Sequence, residues 1–325
     1  MLVLIYVDDM IVIGNDSSSM QFFVEKLHKK FALKDMGSLH HFLGIEVKRD
    51  DSGMYLTQSK YIDELLRRTH MENTSPCPTP AVVGKQCRAE GGEPLQNPTI
   101  YRSTLGALQY LTNTKPDLSF IVNSLSRHLH NPTTLHWQGV KRILRYLQGT
   151  RDMGLHIRYN NDLLLTGFSD ADWGCNLDDK RSVAGYCVFF GDSLVSWSSK
   201  KQNVVLRSST ESEYRALANV ACEIAWIQSL LSEISFPLPM IPVTWCDNSS
   251  AGALAANPVY HARTKHVDID VHFIREKVLS KSIEVRFVPS HDQIADCLTK
   301  PLSHTRFQFL RDKLGIVCRP NHSQV

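Results

Sequence analysis

Four carboxylates in the second half of the chain, each lodged in a different apolar element, are the residues best placed to do chemistry. Asp170 closes Leu164-Leu165-Thr166-Gly167-Phe168-Ser169-Asp170, and Glu213 lies in Ser209-Thr210-Glu211-Ser212-Glu213-Tyr214-Arg215-Ala216-Leu217. Asp247 follows Val243-Thr244-Trp245-Cys246, and Asp296 lies in Gln293-Ile294-Ala295-Asp296-Cys297-Leu298. An acidic group at a strand end or beside a helical apolar stripe must be hydrated, paired or bound to a cation, because an uncompensated buried charge is costly. Four of them without matching basic residues point to a divalent metal ion.

Each has its own local geometry. Side chains alternate along a strand, so Phe168, Asp170 and Asp172 share a face, with Asp170 deeper and better held than Asp172. Glu213 shares a helical stripe with Leu217, Val220, Ile224 and Ile227 and therefore faces a sheet, whereas Glu211 is expected to pair with Arg215 at i,i+4 on the solvated side. Taken singly, Asp247 reads equally as a helix N-cap, and Asp296 as a surface residue beside an Ile294, Cys297, Leu298 stripe.

The elements that must position these groups follow from pattern. Three strands at 163–171, 184–190 and 193–197 form a meander, followed by a helix over 210–234, strand 242–246, a short helix from 248, a helix over 268–280, strand 283–288 and a helix from 291. Antiparallel strands followed by alternating helix and strand predict an α/β fold with a mixed sheet and helices on both faces. Upstream, strand, sharp turn and strand lead to an amphipathic helix over 20–31, a hairpin turning at 50–53 and a helix over 59–68. Residues 72–99 have the Pro/Gly-rich composition of a linker. Helices over 100–112 and 116–130 precede a basic helix over 134–148, where Lys141, Arg142 and Arg145 flank a Trp137, Val140, Leu144, Leu147 stripe. The expected division is thus 1–71, 72–99, 100–160, 161–303 and a C-terminal tail over 304–325.

Composition sets outer bounds. A length of 325 residues is enough for about two domains. A net charge of +3 confines polyanion binding to local patches such as the 141–145 helix. Eight cysteines without zinc-type spacing read as small core residues in a reducing compartment. The apolar opening, Met1 to Val7, runs into Asp8 and Asp9 without a basic flank, which fits neither a signal peptide nor a membrane span. The expectation is an intracellular, non-secreted protein with no membrane partner.

The order and context of the four carboxylates resemble the ribonuclease H domain of copia-type LTR retrotransposon Pol polyproteins. The matching strings are Phe168-Ser169-Asp170-Ala171-Asp172-Trp173, Arg181-Ser182-Val183-Ala184-Gly185-Tyr186, Trp197-Ser198-Ser199-Lys200-Lys201-Gln202, Ser208-Ser209-Thr210-Glu211-Ser212-Glu213-Tyr214, Cys246-Asp247-Asn248, Arg263-Thr264-Lys265-His266-Val267-Asp268 and Gln293-Ile294-Ala295-Asp296-Cys297-Leu298-Thr299-Lys300. The resemblance implies a ribonuclease H-like fold in which Asp170, Glu213, Asp247 and Asp296 bind two Mg²⁺ ions, with Mn²⁺ able to substitute, and cut the RNA strand of an RNA–DNA hybrid. Hard oxygen ligands suit Mg²⁺. His291 resembles a loop histidine that assists product release or proton transfer in related enzymes, although here the stretch to Asp296 is very short. His266 and Asp270 stand at i,i+4, with His261 and His272 nearby, in no zinc-type spacing.

The N-terminal strings carry a second resemblance. Ile5-Tyr6-Val7-Asp8-Asp9-Met10-Ile11 resembles the catalytic hairpin of reverse transcriptases, with Tyr6, Asp8 and Asp9 at the turn. His40-His41-Phe42-Leu43-Gly44-Ile45 resembles the primer-contacting hairpin, implying nucleic-acid contact at Phe42 and Gly44. Two further strings, Tyr101 to Leu111 and Lys141 to Thr150, are similar to the same Pol family and imply a thumb or connection whose Lys141, Arg142 and Arg145 touch phosphate. A partial polymerase palm is thus expected ahead of the ribonuclease H domain. With only five residues before Tyr6, it lacks the upstream third aspartate and should not polymerise alone. Partners implied are an RNA–DNA hybrid, other nucleic acid and other Pol chains, in cytoplasmic particles or the nucleus. The alternatives are a catalytically silent nucleic-acid-binding relic and an integrase- or transposase-type nuclease; the latter takes three carboxylates with the last on a late helix.

Overall fold

A computed structural model describes residues 1–84, 91–160, 162–250, 252 and 267–318. The site-bearing half is built on β7 (Leu165–Asp172), β8 (Val183–Phe190) and β9 (Ser193–Lys201), an antiparallel meander. A long helix, α6 (Ser209–Glu233), crosses it, and β10 (Val243–Cys246) then pairs parallel with β7. Helix α7 (Asp268–Leu279) leads to β11 (Glu284–Phe287), parallel to β10. The order β11-β10-β7-β8-β9 puts β7 in the centre, flanked by a parallel and an antiparallel neighbour. This is the mixed sheet expected from the pattern.

Helix α6 forms here because its apolar residues recur at helical spacing, and Ser208 caps it by accepting from the Glu211 N–H at 3.2 Å. It buries Tyr214, Leu217, Val220 and Ile224 against the sheet, with Val271 and Ile274 of α7 in the same core. The opposite face of the sheet presents Cys187, Phe189 and Leu194 to a second core, shared with helices from the middle of the chain. Helices therefore cover both faces, as expected.

That second core joins segments distant in sequence. An N-terminal hairpin, β1 (Leu2–Tyr6) and β2 (Asp9–Ile13), stands as its own two-stranded sheet ahead of α1 (Ser17–His28), which Asp16 caps. Then come β3 (His41–Phe42), β4 (Ile45–Asp50), β5 (Gly53–Thr57) and α2 (Ser59–Arg68). Next are α3 (Pro98–Leu111), α4 (Ser119–Ser126), α5 (Thr134–Gly149) and β6 (Met153–Arg158), and the described chain closes with α8 (His304–Lys313) and β12 (Ile316–Cys318). Strands β12-β6-β5-β4-β3 form one antiparallel sheet.

Three expected segments and two expected helices differ in the structure. Residues 304–318 are no tail: Phe307, Leu310, Leu314 and Ile316 are buried in the shared core, because α8 carries an apolar stripe and β12 finds β6 as a partner. The segment 100–160 is not wholly helical, since β6 pairs with β5 and ties it to the first segment. The Pro-rich stretch is a docked strap at residues 75–79: Cys77 is buried and its N–H donates to the Arg145 carbonyl at 3.2 Å. The expected helix over 116–130 is shorter, a 3₁₀ turn at Pro116–Leu118 followed by α4. The helix expected from 291 is instead two 3₁₀ turns, Ser290–Asp292 and Ile294–Leu298.

No helix among the described residues is long and apolar enough to cross a membrane. Seven described cysteines are free thiols, four of them buried.

Candidate active site

Central strand β7 carries Asp170 at 2% exposure. Across it, Gly185 of β8 is the register partner of Asp170. A Cβ on Gly185 would stand 2.8 Å from the Leu298 Cβ and 2.8 Å from the Thr299 Cγ2, so glycine is what lets the 294–298 turn close over the strand. Gln293, fully buried, fixes that turn. Its amide donates to the Ser169 carbonyl at 2.9 Å while its oxygen accepts from the Ala295 N–H at 3.2 Å. Asp296 is thereby delivered to Asp170, at 8% exposure.

Glu213 faces the sheet from the first turns of α6, also buried. Asp247 follows β10, half-buried, and accepts from the Ser290 hydroxyl at 3.1 Å. The Asn248 carbonyl accepts from the Gly252 N–H, so the next helical turn opens one residue beyond Asp247, and its carboxylate is directed elsewhere than to a cap. Glu211 is not a solvated partner of Arg215. It is buried and accepts from the Arg207 N–H at 3.1 Å, while Arg215 pairs with Asp270 at 3.1 Å.

The four carboxylates repel one another. Burial pushes the Glu213 carboxyl up to about 9, and the charges of Asp170 and Asp247 add to it, against the Ala171 N–H and Lys300. Burial also raises Asp170, to about 6, with Lys300 opposing, Asp296 adding, the Thr299 hydroxyl opposing and Asp247 adding. Asp172 is raised by burial and touches Cys175. Among the described residues, two buried carboxylate oxygens of the site have no hydrogen-bond partner: the Asp296 Oδ1, which has the Lys300 ammonium 2.7 Å away, and the Glu213 Oε2. Ligand atoms of Glu213, Cys246 and Asp247 lie within 4.8 Å of one another. The Cys246 thiol is pushed far up by burial and stays protonated, so the hard donors there are the carboxyl oxygens of Glu213 and Asp247. A hard cation fits this donor set and would give the orphaned Oε2 a partner.

The expectation of four carboxylates without basic partners is corrected by the other half of the site. The Lys300 Nζ lies 2.7 Å from Asp296 Oδ1 and 3.3 Å from Asp170 Oδ2, and an Arg306 Nη2 lies 3.3 Å from Asp296 Oδ2. The Thr299 hydroxyl donates to the same Asp170 oxygen. Sequence reasoning missed Gln293, Thr299, Lys300 and Arg306 as site residues. The i,i+4 spacing of Asp296 and Lys300 was the one available signal, and it named only half of the contact.

Other candidates are dispersed. His291 is exposed and pairs with Asp292 at 3.0 Å, although its neighbour Ser290 holds Asp247. His261, His266 and the Arg263-Thr264-Lys265 string lie outside the described residues. Tyr6, Asp8 and Asp9 are exposed at the β1–β2 turn, and among the described residues Asp8 and Asp9 belong to no group of three or more ligand-type side chains. Tyr6 approaches Tyr110, whose phenol is raised by burial and then by Tyr6. The Tyr110 hydroxyl abuts the half-buried Gly44 at φ +72, beside Phe42. In the basic helix Lys141 is exposed, whereas Arg142 donates to Thr79 Oγ1 at 2.8 Å and Arg145 to the Ser75 carbonyl at 2.8 Å. Two of the three candidate phosphate contacts thus hold the strap.

The strand order defines an α/β protein of the ribonuclease H-like fold. A family profile described as reverse transcriptase (RNA-dependent DNA polymerase) matches residues 1–83. The retrovirus-related Pol polyprotein from transposon RE2 of Arabidopsis thaliana is 47% identical over 98% of this chain and 22% of its own length. The putative transposon Ty5-1 protein of Saccharomyces cerevisiae is 32% identical over 68% of this chain and 72% of its own length. Among solved structures, the foamy viral protease-reverse transcriptase in complex with RNA/DNA hybrid is similar in fold, with a TM-score of 0.50 at 14% identity over 89% of this chain and 36% of that one. The chain belongs to the Pol polyproteins of copia-type retrotransposons and spans about a fifth of the RE2 polyprotein it matches.

Proposed function

We propose that this chain carries a divalent-cation-dependent ribonuclease H that hydrolyses the RNA strand of RNA–DNA hybrids. One observation carries the reading: four acidic side chains from β7, α6, the end of β10 and the 294–298 turn meet at one place, three of them buried, with the Glu213 Oε2 unpartnered. Asp170, Glu213, Asp247 and Asp296 would hold Mg²⁺, or Mn²⁺ in its place. When bound, such ions activate water and stabilise the leaving oxygen of a phosphodiester, so no protein nucleophile is required.

The chain's own residues supply positioning. Thr299 fixes one oxygen of Asp170, Ser290 fixes one oxygen of Asp247, and Gln293 locks the Asp296 turn to β7. Choice of hybrid over DNA duplex would come from 2′-hydroxyl contacts across a wide minor groove. His291, on the turn with Ser290, is left in this reading as an exposed loop group beside the site.

The test is substrate choice. A labelled RNA–DNA hybrid should be cut in Mg²⁺ and spared in EDTA, with duplex DNA intact under both conditions. Cutting of duplex DNA would favour the integrase-type alternative, and no cutting of either would favour the silent relic.

A further inference from the structure

We propose that Lys300 is a built-in counter-cation that holds the Asp170–Asp296 half of the site, so that a divalent ion enters at Glu213 and Asp247 first and a second binds only by displacing the lysine ammonium. The proposal rests on the metal-site reading above and deepens it. Its basis is the uneven distribution of cations. Lys300 contacts Asp296 at 2.7 Å and Asp170 at 3.3 and 3.5 Å, and Arg306 adds a second positive group on Asp296. The ligand atoms of Glu213, Cys246 and Asp247 are mutually within 4.8 Å, and the Glu213 Oε2 is buried with no hydrogen-bond partner among the described residues. One half is therefore met by two cationic side chains at contact distance, and among the described residues the other half forms no ion pair.

The lysine is also built to leave. About a third of its side chain is exposed, 34%, whereas Asp170 and Asp296 are fixed by the Thr299 hydroxyl, the buried turn and Arg306. A flexible four-carbon stem bearing a strongly hydrated point charge can swing to solvent, which a bidentate guanidinium in the same place would do less readily. The carboxylates would keep their positions while the cation beside them changes. Lys300 is a positioning residue in this scheme, acting through Asp170 and Asp296.

The experiment is a Mn²⁺ titration of the full chain without nucleic acid, followed by loss of the free-ion signal in electron paramagnetic resonance. Wild type should show one tighter and one weaker step. Lys300→Met should tighten the weaker step by about tenfold or more, because a positive charge at contact distance no longer opposes the ion. Lys300→Arg should keep the two steps apart, since the charge is retained. Thermal unfolding in EDTA should show K300M less stable than wild type, with Mn²⁺ restoring it. Two equal steps in the wild type, or a K300M titration matching the wild type, would overturn the proposal. If K300M does not fold, Lys300→Gln takes its place, and a Lys300→Gln titration matching the wild type would overturn the proposal equally. If Asp247→Asn binds two ions as the wild type does, the carboxylate reading itself fails, an outcome separate from any result at Lys300.

Discussion

Replacing Glu213 with glutamine should stabilise the metal-free protein, and by an amount that grows with pH. Glu213 is 7% exposed, and burial beside Asp170 and Asp247 raises its carboxyl from an ordinary 4.5 to about 9. A folded-state value above the unfolded one means that the folded chain holds a proton the unfolded chain releases. The stabilising contribution is therefore complete below about 4.5 and is lost progressively as pH rises toward about 9. At neutral pH the gap from 4.5 corresponds to about 3 kcal/mol, and at pH 5 to under about 1 kcal/mol. Glutamine stays neutral at every pH and escapes this loss. In EDTA, the melting temperature of Glu213→Gln should exceed that of wild type by about 5 °C near pH 7, and by about 1 °C near pH 5. Saturating Mg²⁺ should invert the order, because only the wild type gains the full set of ligand charges. A wild-type minus variant difference that stays flat from about pH 5 to pH 8 in EDTA would refute the electrostatic reasoning.

Two further perturbations probe the scaffold. Gly185→Ala places a methyl group 2.8 Å from atoms of both Leu298 and Thr299, so it should cost about 1–3 kcal/mol in urea unfolding and lower hybrid cleavage by displacing the Asp296 turn. Leu310→Ala, in the segment first read as a tail, empties a fully buried position of the shared core and should cost about 2–5 kcal/mol in the same assay; a surface-like loss of a few tenths would mean that α8 is not docked.

The sequence disclosed the carboxylates for a physical reason. Each interrupts a strong apolar pattern, and such interruptions stand out whether the pattern has a period of 2, as on β7, or 3.6, as on α6. The meander, α6, β10, α7 and β11 were legible on the same ground. What escaped was set by long-range partners. Strand β6 is six residues long and β12 three, and each is defined by pairing with a distant strand rather than by local alternation. Lys300 looks like an exposed charge until the turn carrying it is folded onto β7, where Asp170 waits from another part of the chain. Arg142 and Arg145 looked like phosphate ligands because the strap they hold has the composition of a linker. The 294–298 turn has a helical apolar spacing yet winds as 3₁₀, with Gln293 supplying its cap.

The central claim is that Asp170, Glu213, Asp247 and Asp296 act together as one cation site for cutting hybrids. Its most direct measurement is hybrid cleavage in Mg²⁺ by wild type beside Asp170→Asn, Glu213→Gln, Asp247→Asn and Asp296→Asn, each verified as folded by its melting curve. Cleavage by wild type alone, with all four variants at background, is the predicted result. Normal cleavage by any one folded variant would contradict it.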